Sequence, residues 1–280
     1  SNIAPALAAP GTNLQQYAPF PDFSSGYFVT GAGIGAYNSL QATLEKRFGS
    51  GLYFLSSYTW SHALDDIPAP LGDGQQGGIQ NILLIPLSDE YASSTFDVRH
   101  KFNFSGNYQL PFGTGKRYLN TSKLANELVG GWAVTPTFTV QTGNPFTVSP
   151  ANFSGPFGAV AFALKTGDPF KGGGSPNSTN PTILCPTSVR NKTNWFNPCA
   201  FSNPKAWDRG ATLITDTASA LQYVGSRGDQ IAGPGYYRIN GSVFKSFTIF
   251  KEQYLQFRVD VFNLFNHPAL GQPSGSINNT

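Results

Sequence analysis

Strict alternation of apolar and polar residues near the C-terminal end is the feature that most constrains the fold. The stretch YLQFRVDVFNLFNHPAL covers residues 254–270, and from residue 255 every second side chain is apolar. Successive side chains of an extended strand point to opposite faces, so this pattern predicts a β-strand with one apolar and one polar face. The apolar face consists of Leu255, Phe257, Val259 and Val261, and the polar face of Gln256, Arg258 and Asp260.

Five further segments alternate in the same way, which gives about six strands: residues 36–48, 52–60, 98–112, 132–143 and 236–247. The Gly-rich residues 49–51 make the first two a hairpin. Pro136 is unfavourable in a central strand and predicts a bulge or an edge. With the four apolar residues above, the predicted lipid- or core-facing residues are Leu40, Leu44, Phe54, Tyr58, Phe102, Phe104, Tyr108, Trp132 and Phe138. Polar-face residues are Arg99 and Lys101, together with Arg258 and Asp260.

Two architectures remain compatible with alternation alone. A soluble β-sandwich turns its apolar face towards a core, whereas a membrane barrel turns it towards lipid. Strand length favours the barrel, because segments of about 11 to 15 residues exceed the usual 5–6 and match a tilted crossing of the bilayer.

The lengths of the connections also favour a barrel. Short turns follow the first and fifth strands, and a moderate turn follows the third, whereas long loops follow the second and fourth. Short turns at one end and long loops at the other are typical of outer-membrane barrels. Aromatic residues near the strand ends suit the interfacial girdles of such barrels: Trp60, Tyr108, Phe112, Trp132 and Phe265.

Residues 143–235 form the longest connection and are rich in Gly, Pro, Asn, Ser and Thr. A structureless loop of that length is improbable inside a compact domain, so we expect an excursion with a fold of its own. Cys185 and Cys199 lie close together in it and predict a disulfide in an oxidising compartment. Two thiols with no nearby His fall short of a zinc site, which is the alternative. Only residues 215–224 resemble a helix.

Four regions therefore follow one another along the chain. They are an N-terminal extended arm at residues 1–35, the first four barrel-type strands at 36–142, a long external loop region at 143–235, and the last two strands with a C-terminal tail at 236–280. The expected fold class is all-β: an antiparallel up-and-down meander of about six long strands with one very long disulfide-tied loop.

Composition excludes several functional classes. Only 12% of residues are charged, and the net charge of +3 is not gathered in any block of one sign, so nothing indicates nucleic-acid binding. No stretch approaches the roughly 20 apolar residues of a membrane-spanning helix. The chain begins with Ser1 and contains no Met. We therefore expect it to be a mature or excised piece of a longer precursor.

Five motifs occur along the chain in a characteristic order: YNSLQATLEKRFGSGLYFLSSYTWSHALDD, FDVRHKFNFSGNYQLPFG, GGWAVTPTFTVQTGNPFTV, NWFNPCAF and GPGYYRINGSVFKSFTIFKEQYLQFRVDVFNLFNHPALGQP. Together they resemble the C-terminal barrel region of TonB-dependent outer-membrane receptors, in the Oar-like branch that carries a carboxypeptidase-regulatory-like domain. The resemblance covers nearly the whole chain. It implies a plugged barrel of about 22 strands for nutrient uptake, driven by an inner-membrane partner that grips a TonB box.

The chain departs from that family pattern at both ends, with no plug or TonB box before Ser1 and no closing aromatic strand before Thr280. Six strands are too few to close a barrel, and unpaired backbone groups in lipid cost several kcal/mol each. We therefore expect the missing part of a larger barrel, or copies of the chain, to pair with the strand edges. The predicted assembly edge is Leu255, Gln256, Phe257, Arg258, Val259, Asp260 and Val261.

Candidate sites for chemistry are weak. His62 with Asp65 and Asp66 could form a metal cluster, but a hydrophilic entry to the loop is the favoured interpretation of these residues. The segment GAGIG at residues 31–35 lacks dinucleotide-binding spacing. Trp195 and Phe196 could contact a ligand, but packing inside the loop under the disulfide is the favoured interpretation. The sequence thus predicts no catalytic residue, no metal site and no cofactor.

Two functions follow as expectations. The first is a segment of a transport barrel, in a Gram-negative-type outer membrane. The second is a subunit of an extracellular filament that assembles by strand pairing between copies.

Overall fold

The computed structural model describes residues 33–49, 51–66, 87–119, 123–150, 161–176, 182–205, 217–250 and 253–277. Its strands are β1 (Gly35–Phe48), β2 (Leu52–Asp65), β3 (Ala92–Ser93), β4 (His100–Gln109), β5 (Trp132–Gln141), β6 (Pro145–Phe146), β7 (Leu164–Lys165), β8 (Phe201–Ser202), β9 (Ile231–Ala232), β10 (Tyr236–Phe250) and β11 (Gln253–Val261). Its helices are α1 (Lys123–Val129) and α2 (Thr217–Val224), with 3-10 turns at Leu87–Glu90, Pro198–Ala200 and Arg227–Asp229.

Six long strands form one antiparallel sheet in the order β1-β2-β4-β5-β10-β11, and the short β3 pairs with the end of β2. Each long strand pairs with the next long strand along the chain, which is an up-and-down meander. The described strands form an open sheet that does not close into a barrel. The predicted all-β meander of about six strands is therefore confirmed.

Strand boundaries agree with the alternating segments to within a few residues, except that β2 continues to Asp65, beyond the predicted end at residue 60. In the β1–β2 turn, Gly51 has a φ of 86° and donates its N–H to the Phe48 carbonyl at 3.2 Å. A residue with a Cβ is strained at that φ, which explains why glycine ends this turn. The N-terminal arm predicted at residues 1–35 lies almost entirely outside the described residues, as does the predicted turn at residues 251–252.

Pro136 lies in a central strand, contrary to the predicted bulge or edge. Strand β5 pairs with β4 on one side and with β10 on the other, and neither register shifts, although the β4 ladder lacks the pairs at residues 106/136 and 107/135. The residue opposite Pro136 in β10 is Gly241, and its neighbour in β4 is Gly106, where an added Cβ would lie 3.6 Å from Pro136 Cγ. Two glycines beside the ring leave room for proline inside the sheet.

Long and short connections lie at opposite ends of the sheet. The end with the short connections, here called the short end, carries the β1–β2 turn, the adjoining ends of β10 and β11, and residues 110–119 and 123–131. The other, the long end, carries the described parts of the β2–β4 and β5–β10 connections and of the tail after β11: residues 66, 87–99, 142–150, 161–176, 182–205, 217–235 and 262–277. The sequence predicts only a turn between β4 and β5, but α1 lies there. Among the described residues, neither α-helix is long and apolar enough to cross a membrane.

The buried hydrophobic core lies at the long end and not on the sheet. Phe146, Val148 and Phe201 are at its centre, and the tail contributes Ile277, which is fully buried. Two small sheets, β6–β9 and β7–β8, frame this core. The tail is held against residues 144–149, because Ile277 donates its N–H to the Ser149 carbonyl at 3.1 Å. The helix predicted at residues 215–224 is present as α2.

Candidate functional site

The register gathers every predicted lipid- or core-facing residue on one face of the sheet. Tyr58 lies opposite Phe102, which lies opposite Val140, and Val140 lies opposite Tyr237. Directly opposed residues share a face. The same face, here called the apolar face, carries Leu40, Leu44, Phe54, Tyr58, Phe102, Phe104, Tyr108, Trp132, Phe138, Leu255, Phe257, Val259 and Val261.

Stacked rings join the middle of this face across three strands. The Phe104 ring centroid lies 4.9 Å from that of Phe138 and 6.0 Å from that of Phe54. Trp132 meets Phe257 edge to face at 6.1 Å, across the intervening strand β10. Such pairs contribute about 0.5–1.5 kcal/mol each beyond the area they bury.

The apolar face is open over most of its extent. None of the predicted apolar-face residues is buried, and Leu40 and Leu255 keep 63% and 60% of their surface. A soluble sandwich would cover this face with a second sheet. The described residues supply no such layer, and an apolar surface of this size is unusual on a water-soluble protein.

Aromatic residues lie at both ends of the apolar face, and histidines accompany them at the long end. At the long end, the Tyr58 hydroxyl lies 2.8 Å from His100 Nδ1, and Tyr237 stacks on His267 with centroids 4.0 Å apart. Trp60 shares that end, opposite Leu40. Tyr108 and Trp132 lie at the short end, whereas Phe112 stacks with Tyr118 in the connection beyond it and Phe265 lies exposed after β11.

The opposite face, here called the polar face, is mainly hydrophilic and carries Lys101, Arg258 and Asp260. Asp260 Oδ1 accepts hydrogen bonds from the Ser242 hydroxyl at 2.5 Å and from Arg258 Nε at 2.8 Å. Arg258 also donates to the Ser242 hydroxyl at 3.1 Å. Arg99 immediately precedes β4, where it pairs with Asp97 at 3.3 Å.

Both outer strands of the sheet have open edges. Each of β1 and β11 has a paired neighbour on one side only among the described strands. Five antiparallel ladders separate them, so β1 and β11 run in opposite directions. The predicted assembly edge, residues 255–261, lies wholly within β11 and is exposed throughout.

The Cys185–Cys199 disulfide is present, with the two Cα atoms 5.5 Å apart. Both cysteines pack against the buried core of the long end. Phe196 lies inside this core, and Trp195 donates its Nε1–H to the Ala232 carbonyl at 2.8 Å while its ring meets Phe170. These contacts assign Trp195 and Phe196 to packing within the loop.

The candidate metal group at His62 has other partners. Asp65 Oδ1 accepts from the Arg227 guanidinium at 2.5 Å, and Asp66 Oδ1 accepts the Ile34 N–H at 2.8 Å. His62 Nε2 lies 3.3 Å from Ser93 Oγ. Where the structure describes the chain, no group of three His, Cys, Asp or Glu side chains could hold a metal.

Arg227 was not singled out by the sequence, yet it is fully buried at the long end, with 1% of its surface exposed. Besides Asp65, its guanidinium donates to the carbonyl oxygens of Asp65 at 2.8 Å and Glu90 at 3.1 Å. It thereby ties the end of β2 and the 87–93 segment to the loop region. The partners lie 162 and 137 residues away along the chain, so no local sequence pattern reveals the contact.

Lys245 is a second residue that the sequence analysis does not name as part of a site. It is opposite Trp132 and Phe257, which places it on the apolar face, and only 4% of its surface is exposed. Its ammonium donates to the carbonyl oxygens of Asn126 and Glu127 in α1. The period-2 pattern of β10 alone was enough to place this lysine among apolar residues.

Comparison with known proteins agrees with the open apolar face. A family model described as an outer membrane beta barrel domain matches residues 1–280. No curated protein and no solved structure matches the chain. The family indicates a location in the outer membrane of a Gram-negative bacterium. Since the match spans the entire sequence, the chain belongs to the outer membrane β-barrel domain family.

Proposed function

We propose that the chain is a barrel segment of a TonB-dependent-receptor-like protein that takes up a nutrient and has no enzymatic activity. The observation that supports this most is the division of the sheet into two faces. One face is apolar and, apart from the place where α1 covers Lys245, open across six strands, and the other is mainly polar. Lipid would contact the first, and a lumen with a plug would contact the second.

The two ends of the sheet support the same proposal. Short connections at one end and long ones at the other match barrels whose long loops face outside the cell. The long end carries the buried core and its disulfide, and disulfides persist in oxidising compartments. We propose that this end captures the nutrient.

Energised uptake is the property that tests this function. A strain from which the complete gene is deleted should grow more slowly than wild type on at least one limiting nutrient, and the complete gene should restore growth. Uptake of that nutrient should stop when a protonophore collapses the inner-membrane potential. Equal growth of both strains on every nutrient of a broad panel would contradict the proposal, as would uptake that the protonophore leaves unchanged.

The open edges favour a second candidate function, a subunit of an extracellular filament. Because β1 and β11 run in opposite directions, β11 of one copy can pair antiparallel with β1 of the next. That pairing keeps the apolar faces on one side and the long connections at one end. Repetition without closure produces a filament, and the partner is then a second copy of the chain.

Negative-stain images of the purified chain without detergent separate the two candidates. Regular fibres in water would contradict a transport role for this form of the protein. Material that aggregates and becomes homogeneous only in detergent would contradict the filament.

A further inference from the structure

Lys245 presents a physical problem that helix α1 solves. It lies on the apolar face between Trp132 and Phe257. A lysine exposed to lipid at the middle of a bilayer costs about 2–4 kcal/mol, and the cost falls towards the membrane surface. Here the ammonium is covered, since α1 lies over it and supplies carbonyl oxygens.

Three consecutive carbonyl groups at the C-terminal end of α1 hold the helix against the sheet. Lys245 Nζ donates to Asn126 O at 3.2 Å and to Glu127 O, and Trp132 Nε1 donates to Leu128 O at 2.9 Å. The last carbonyls of a helix have few partners within it and carry partial negative charge. A cation and an indole N–H therefore stabilise this end of α1.

Two of the exposed side chains at the same helix end are apolar. Leu128 has 74% of its surface exposed and Val129 has 42%. Leu128 and Val129 belong to the helix end whose carbonyl groups contact Lys245 and Trp132, and this end lies beside the short end of the apolar face. An exposed leucine next to a bound lysine and tryptophan is the arrangement found where a protein surface meets the lipid–water boundary.

The position of a second lysine marks the same boundary. Among the described residues of the six long strands, the lysine and arginine side chains on the apolar face are those of two residues, Lys46 and Lys245. Both lie towards the short end, and each ammonium lies over the phenylalanine two residues further on: Lys46 over Phe48 at 5.4 Å and Lys245 over Phe247 at 4.8 Å. The long end of that face carries histidines instead.

We propose that α1 is an interfacial helix, which lies on the membrane surface at the short end of the sheet with Leu128 and Val129 in contact with lipid. Its partner is the boundary between headgroups and acyl chains, and Lys245 and Trp132 fix its position there. This inference rests on the proposed lipid contact of the apolar face. It adds a lipid-binding element that lies outside the strands.

Nitroxide labels in the full-length protein in phosphatidylcholine vesicles test this position. Both native cysteines are bonded to each other, so a single introduced cysteine can be labelled. The label in Leu128→Cys should collide more with oxygen than with aqueous nickel chelate, at a shallower depth than the label in Val259→Cys. The neighbouring exposed residue gives the matched control, Glu127→Cys, whose label should favour the nickel chelate.

The outcomes separate this inference from the proposed function. One outcome overturns the interfacial helix alone: the label at residue 259 lies in lipid, but the label at residue 128 collides with the nickel chelate as often as the label at residue 127. A Val259 label open to nickel overturns the lipid-facing sheet and the helix with it. In the Leu128→Cys background, Lys245→Met should raise the mobility of the label and Lys46→Met should not. Equal mobility in both would contradict anchoring by Lys245.

Discussion

At the scale of single residues, small side chains decide how closely the aromatic rings of the apolar face pack. A Cβ at Gly106 would lie 3.2 Å from Phe104 Cε1 and 3.3 Å from Cζ, so the phenylalanine ring covers this glycine. Gly241 lies on the other side of Pro136, and nothing lies within 4 Å of a Cβ added there. The two glycines therefore provide a matched pair.

Gly106→Ala should leave the sheet less stable than Gly241→Ala does, because both variants gain the same relief of glycine entropy and only the first disturbs a ring contact. The new methyl group at residue 106 displaces the Phe104 ring from its stack, which contributes about 0.5–1.5 kcal/mol. At residue 241 the substitution only removes the entropic cost of glycine, about 0.5–1 kcal/mol. Urea unfolding of the full-length protein in vesicles measures both free energies. A Gly106→Ala variant as stable as Gly241→Ala would show that the ring contact is unimportant.

Among the charged residues of the long end, Arg227 should be the one whose substitution destabilises the fold most. Arg227→Ala leaves Asp65 partly buried without its partner, and breaking a buried ion pair in this way costs about 3–5 kcal/mol. Hydrogen exchange of the 87–99 segment should therefore become faster. Arg190→Ala is the control, because Arg190 is exposed and lies over the Phe170 ring without a buried carboxylate. Equal exchange in the two variants would contradict a structural role for the Arg227 network.

Residues differ in how far the sequence predicts their roles. Alternation assigns Phe102, Phe104 and Phe138 to one face because side-chain direction follows from position in a strand. The same rule covers Lys245, but its carbonyl partners lie 118 and 119 residues away and belong to a helix that the sequence did not indicate. Contacts that depend on folded loops carry no local pattern.

At the scale of elements, long strands and their order were predictable, whereas the short helix α1 was not. Each long strand alternates over ten or so residues, and turn-forming residues separate neighbours. Helix α1 spans only Lys123–Val129, so it shows barely two helical turns of pattern. Its position depends on Lys245 and Trp132, which belong to other elements.

The Cys185–Cys199 disulfide should stabilise the loop element without affecting the strands. A bridge closing about 15 residues contributes about 3 kcal/mol. In the variant Cys185→Ser/Cys199→Ser, hydrogen exchange should therefore accelerate in residues 161–205 and stay unchanged in β4 and β5. Reduction of the native protein should give the same pattern. Uniform acceleration in both regions would contradict a separate loop core, and no acceleration would contradict stabilisation by the bridge.

At the scale of the whole molecule, the described chain has a covered core at one end and an uncovered apolar sheet. These two features fit a protein whose loops face water and whose strands face lipid. The antiparallel relation of β1 and β11 adds a constraint, since only an even number of further strands can close the sheet with antiparallel pairing throughout. Alternation and connection lengths predicted the open meander. The strands that pair with the two open edges lie outside the described sheet. The sequence of these six strands therefore does not predict those partners.

The central claim is that the apolar face contacts lipid while the polar face contacts water, and a nitroxide scan along β11 tests it most directly. Single cysteines at residues 255–261 of the full-length protein in vesicles report oxygen and nickel-chelate collisions residue by residue. We expect oxygen access to peak at residues 255, 257, 259 and 261, with nickel access peaking at 256, 258 and 260. Nickel access that is equally high on both faces would contradict the assignment of one face to lipid and the other to water.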